Sequence, residues 1–203
     1  MKDNMKKLAV FVMIIALAVF MAVATASADG QRYRKTLHGE YAFTGSGACT
    51  LAPTGFEPNF IPTNPEFAGM GPNVWEGVYT FNHNGKGKME TRQCYNDGPP
   101  SYSSGCADLS WEYEFELDGG AITFTFIPGT YYLKYTEGPN IGLTINLPSL
   151  SEINQPWTGR ISPDGRNLFV FYGGPFKIEI NDFAFAPHLA IICNAVHQGF
   201  RTK

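Results

Sequence analysis

Trp111-Glu-Tyr-Glu-Phe-Glu-Leu117, the turn Asp118-Gly-Gly120 and the run Ala121-Ile-Thr-Phe-Thr-Phe-Ile127 decide the fold. Side chains alternate along an extended strand, so Trp111, Tyr113, Phe115 and Leu117 share one face and Glu112, Glu114 and Glu116 the other. Ile122, Phe124 and Phe126 repeat the pattern beyond the turn, alternating with Thr123 and Thr125. Two such runs joined by a Gly-containing turn predict a β-hairpin with one buried aromatic face.

On the N-terminal side, Lys86, Lys88, Glu90 and Arg92 fall on one face of a preceding strand. Laid antiparallel to the hairpin, they are expected to meet Glu112, Glu114 and Glu116. Three glutamates together also suggest acid–base or metal chemistry, but a salt-bridged solvent face is the stronger expectation. Before that strand, Val74 to Asn82 carries Trp75, Tyr79 and Phe81 on one face, with Asn82-His-Asn-Gly85 as its turn. The first strand is expected over Gly39 to Leu51, with Tyr41, Phe43, Gly45, Gly47, Cys49 and Leu51 on one side. Glycines there predict a bend or a close backbone approach. Five prolines between Pro53 and Asn73 predict a long irregular loop, either a flap over one end of the sheet or a plug that closes the core.

Beyond the hairpin, short strands are expected at 131–135, 141–147, 157–161, 167–172, 176–180 and 188–200, separated by Gly, Pro, Asn and Asp turns. No stretch after the N-terminal apolar run has a helical period. Nine or ten strands in succession predict an all-β, antiparallel, up-and-down barrel, since closure removes exposed edges.

The first 28 residues read as a signal peptide: Lys2, Lys6 and Lys7, an apolar run from Leu8 to Ala24, and an Ala26-Ser-Ala28 exit. The remaining 175 residues form one expected domain, 29–203, with twelve basic and seventeen acidic side chains, a net of −5. That balance argues against nucleic acid or an anionic membrane surface as partner. The membrane is expected to be met only through the signal peptide before cleavage, and the destination is the periplasm or the exterior. Cys49, Cys94, Cys106 and Cys193 form an even set in an exported chain, which reads as two disulfides. Cys94 and Cys106 flank one polar loop and suit a local clamp, leaving Cys49 with Cys193, first strand to last. No C-x-x-C spacing favours zinc.

Candidate chemistry is sparse. His38, His83, His188 and His197 are scattered, and no hydrolase elbow, phosphate loop or dinucleotide fingerprint is present. No cofactor, no metal and no catalytic residue is expected, and the balance leans away from an enzyme. Trp75, Tyr79, Trp111, Tyr113, Phe115, Phe124 and Phe126 are the candidate ligand-lining set, with plain core packing as the competing expectation. The function expected is an exported barrel binding a small hydrophobic molecule. The alternatives are an envelope structural or adhesion module without ligand, and a small outer-membrane barrel with Trp111, Tyr113 and Phe115 facing lipid.

Gly39-x-Tyr41, a long loop directly after that strand, and Arg201 after the last strand resemble the lipocalin-like (calycin) barrels. In those families a first-strand G-x-W and a late Arg pack at the closed end. Tyr41 stands here in the place of the Trp. The resemblance implies a cup for a small apolar molecule, and allene oxide cyclase barrels are similar in architecture. Gly39-x-Tyr41, Gly45-x-Gly47-x-Cys49 and Cys193 also resemble a group of small exported bacterial proteins of uncharacterised function, which implies a family and no activity.

Overall fold

A computed structural model describes residues 37–52, 54–59, 61–96, 104–147, 157–172, 176–183 and 186–202. The signal peptide expected over residues 1–28, with its cleavage site, therefore lies outside the described residues. Eleven strands form one antiparallel sheet: β1 (Gly39–Ala52), β2 (Gly69–Phe81), β3 (Lys86–Asn96), β4 (Ser104–Asp118), β5 (Ala121–Phe126), β6 (Tyr131–Glu137), β7 (Thr144–Leu147), β8 (Trp157–Ile161), β9 (Asn167–Tyr172), β10 (Phe176–Phe183) and β11 (Ala186–Arg201).

Their pairing makes an eight-lane barrel. β1 pairs with both β2 and β11, β2 with β3, and β3 with β4. The remaining strands lie end to end in lanes. β5 and β6 both pair with β4, the first along its C-terminal half and the second along its N-terminal half. They are one strand interrupted at 127–130, where Ile127 N–H still donates to the Glu112 carbonyl at 2.9 Å. β8 and β7 likewise follow one another along β5 and β6, and β9 and β10 along β11. The β8–β9 pairing closes the ring from Trp157↔Tyr172 to Ile161↔Leu168. The up-and-down order thus holds, with three of its eight lanes broken in the middle.

The deciding hairpin forms as the alternation requires. Trp111, Tyr113, Ile122 and Phe124 are buried inside the ring, while Glu112, Glu114 and Glu116 are exposed. Gly119 and Gly120 both take positive φ, 53° and 85°, which a two-residue hairpin turn demands of its centre. Trp111 and Tyr113 therefore do not face lipid, and the outer-membrane arrangement expected as an alternative is corrected on this point.

Two other expectations are corrected in register. Lys86 meets Glu114, Nζ to Oε1 3.2 Å, but Lys88 turns to Glu90 on its own strand at 2.7 Å, and Arg92 pairs with Glu137 of β6. Glu116 lies beyond the start of β3 and stands opposite Thr123 of β5 instead. β2 begins at Gly69, so the irregular stretch after β1 is shorter than the prolines imply. Pro72 sits inside β2, one residue before the β3 pairing starts at Asn73, where a missing N–H interrupts no β3 bond.

Both disulfides join directly opposed residues. Cys49–Cys193 ties β1 to β11 and Cys94–Cys106 ties β3 to β4, each with Cα atoms 4.1 Å apart. Two such bonds belong to an oxidising, extracytoplasmic environment.

Candidate functional site in the barrel interior

One end of the ring is sealed by the residues that carry the calycin resemblance. Tyr41 of β1 is buried, and its hydroxyl donates to the Gly165 carbonyl at 2.7 Å, pinning the β8–β9 turn across the barrel. Burial raises its pKa above the ordinary phenol value. Arg201 lies within β11, not after it, directly opposite Tyr41. Its Nη2 donates to His38 Nε2 at 2.9 Å, and His38 stacks on His83 with ring centroids 4.7 Å apart. Leu37 and Phe81 are buried at the same end, Phe81 edge-on to Tyr41 at 5.5 Å. An eight-strand closed antiparallel barrel with this end packing is compatible with a calycin-like fold.

Above that seal the interior is aromatic. Tyr79, Tyr113 and Phe124 are fully covered and lie within 6.2 Å of one another by ring centroid. Trp111 packs on Phe126 at 4.4 Å and on Trp157 at 5.1 Å. Trp75, from the same face of β2 as Tyr79, packs beside His197 of β11 at 5.5 Å. The structure thus brings all seven sequence-predicted lining residues to the inner face. Phe115 and Phe126 are only half-buried. Phe115 stands at the sealed end, on a cleft of about 490 Å³ that it shares with Leu37, His83, Lys86, Glu114 and Leu117.

At the centre of the interior sits a polar pair. His197 of β11 is 1 % exposed, and its Nδ1 shares a hydrogen bond of 2.6 Å with the Tyr79 hydroxyl. Phe43 stacks on the imidazole at 4.7 Å, with Trp75 and Trp157 at 5.5 and 6.1 Å. Gly45 faces His197 across the β1–β11 ladder, and any side chain there would collide: a Cβ at Gly45 would fall 2.2 Å from His197 Cδ2. Burial pushes the His197 pKa down to about 3 and that of Tyr79 well above the phenol value. Burial thus favours the neutral form of both groups at ordinary pH, and the pair is a hydrogen-bonded dipole within an aromatic cage.

Toward the disulfide end the inner face is small and polar on β1, β2 and β11, while β4 and β6 carry Leu109, Tyr131, Leu133 and Tyr135. Gly47 opposes Ala195, and Cys49–Cys193 lies buried one step further out. Asn73 is buried, accepting at Oδ1 from Gln93 Nε2 at 2.6 Å. Ala107 of β4 faces Gln93.

His197 was the residue that strand-by-strand reading missed. Its place on the Leu189–Ala195 face marks it as inward, and Gly45 and Gly47 mark the space opposite, but its partner Tyr79 is 118 positions away. Trp157 and Phe43 were missed as members of the same cage. The glutamate cluster lies on the outer face, and among the described residues no group of three His, Cys, Asp or Glu could hold a metal ion. His188 belongs to β11, but its side chain is outside the described set.

No family model matches this sequence, and no curated protein is significantly similar to it.

Proposed function

We propose that this protein is an exported barrel that binds a small hydrophobic molecule, entering from the disulfide end. The observation that carries the reading is a contrast within the disulfide half of the interior. There Gly45, Gly47, Gly71, Asn73 and Ala195 make a small and polar wall on β1, β2 and β11, whereas β4 and β6 carry Leu109, Tyr131, Leu133 and Tyr135. Eight-lane barrels of this size either fill with side chains or hold one small ligand. The Gly39-x-Tyr41/Arg201 packing supports a calycin-like relationship, in which the sealed end is the floor of a cup. The signal peptide and the two disulfides support a periplasmic or secreted location.

One observation favours a second reading, an envelope structural module without ligand: Tyr79, Tyr113 and Phe124 at the heart of the interior are completely covered by their neighbours. Native mass spectrometry of the chain purified from its own exported fraction separates the two. Ligand binding predicts a non-covalent apolar adduct lost on organic extraction, and extracted protein that rebinds long-chain fatty acids. A single unadducted mass, with no uptake after extraction, would favour the structural module.

A further inference from the structure

We propose that the segment 29–36 fills the cleft at the sealed end of the barrel, running along an open edge of β4 as a short strand in line with β3. This inference does not depend on the ligand reading. β4 outruns β3 at that end. Their pairing begins at Lys86↔Glu114, and one further bond joins the Phe115 N–H to the Gly85 carbonyl at 2.8 Å. Among the described residues, Glu116, Leu117 and Asp118 pair with β5 alone. Phe115, Glu116 and Leu117 line the cleft of about 490 Å³, so its wall is the side of a strand with one neighbour missing. Such an edge is a template for an added strand. Three lanes of this barrel already consist of two strands end to end, and the segment makes the β3 lane a fourth.

The chain itself supplies the occupant. Leu37 is 1 % exposed and lines the same cleft, so the segment that precedes it starts from the wall of the site. An extended chain reaches about 3.3–3.6 Å per residue, which keeps Tyr33 within roughly 14 Å of Leu37. A space of this size takes a few side chains, not a folded partner. A short tether also holds its segment at an effective concentration near millimolar, an advantage that a separate peptide or amphiphile lacks.

Asp29-Gly-Gln-Arg-Tyr-Arg-Lys-Thr36 has the two-sided pattern that this edge needs. With Leu37 inward, alternation turns Tyr33 inward too, and Arg32 and Arg34 outward. The facing rows of β4 hold half-buried Phe115 and Leu117 inside and exposed Glu114, Glu116 and Asp118 outside. Lys86 engages Glu114, whereas Glu116 and Asp118 have no ion-pair partner among the described residues. Arg32 and Arg34 answer those two carboxylates, and Tyr33 covers the two half-buried side chains. Lys35 falls on the inward row at the end of the barrel, where its long stem lets the ammonium reach water.

The test is amide hydrogen exchange, followed by NMR, on the disulfide-bonded chain from Asp29 onward. The amides of residues 33–36 are expected to exchange at least about tenfold more slowly than an unstructured peptide. Glu116→Lys with Asp118→Lys should abolish that protection, and so should Arg32→Glu with Arg34→Glu. All four changes together should restore it, since the pairs then form with reversed sign. Unchanged protection on β1 and β11 reports that each variant is folded. Free exchange of 33–36 in the wild type would overturn the proposal, and a protected Leu117 amide beside it would mark a different occupant. Protection indifferent to both reversals, or no recovery in the fourfold variant, would overturn it as well.

Discussion

At the scale of single residues, the interior depends on a trade between Gly45 and His197. The imidazole is held by Tyr79 on one side and Phe43 on the other, so it has no direction in which to yield. Gly45→Ala is therefore expected to destabilise the fold by roughly 1–3 kcal/mol, the usual range for overpacking, measurable by urea denaturation. His197 also makes stability depend on pH. The folded chain refuses a proton down to about pH 3, whereas the unfolded chain accepts one near the ordinary value of 6.5. The unfolded state thus binds more protons in that window, and stability falls as pH falls through it. The slope contributed is at most about 1.4 kcal/mol per pH unit. Thermal melts between pH 7 and 4 should show a steeper drop for wild type than for His197→Gln, which keeps a polar partner for Tyr79 without titrating. At the sealed end, Tyr41→Phe should cost about 1 kcal/mol, because it leaves the Gly165 carbonyl without its donor.

At the scale of strands, much is legible in the sequence. β8 and β9 occupy the ranges that their apolar alternation and turns predict, 157–161 and 167–172. The inward set on β4 and β5 follows from period two alone. What the chain concealed was continuity: Ile127-Pro-Gly-Thr130 reads as a turn that reverses direction, yet β6 carries on along the same neighbour as β5. A local signal specifies that the ladder breaks, and only the register on β4 specifies where the chain resumes. Glu116 misleads for the same reason, since its partner depends on where β3 starts. The Tyr79–His197 pair was hidden because it joins lanes that are not neighbours, β2 and β11 being separated by β1. The disulfides act at this scale too. Cys49–Cys193 closes a separation of 144 residues and Cys94–Cys106 one of 12. Loop-closure entropy then predicts that removing the first costs about 4–5 kcal/mol and the second about 3. Paired alanine variants compared by guanidinium denaturation should preserve that order.

At the scale of the whole molecule, the barrel is asymmetric along its axis and around it. Along the axis, an aromatic floor closed by Tyr41, His38 and Arg201 gives way to an end bearing both disulfides, with a small wall on β1, β2 and β11. Around it, β3 and β4 carry a dense row of charges on their outer faces, whereas β1 from Ala42 to Ala48 carries none. The most direct measurement is titration of the folded chain with a fluorescent long-chain fatty acid whose absorption overlaps tryptophan emission. Trp75, Trp111 and Trp157 all lie inside the ring, so a ligand held there must quench them. Saturable quenching at one probe per chain is the predicted result. Unchanged tryptophan emission at saturating probe, in a chain whose circular dichroism reports intact sheet, would contradict it.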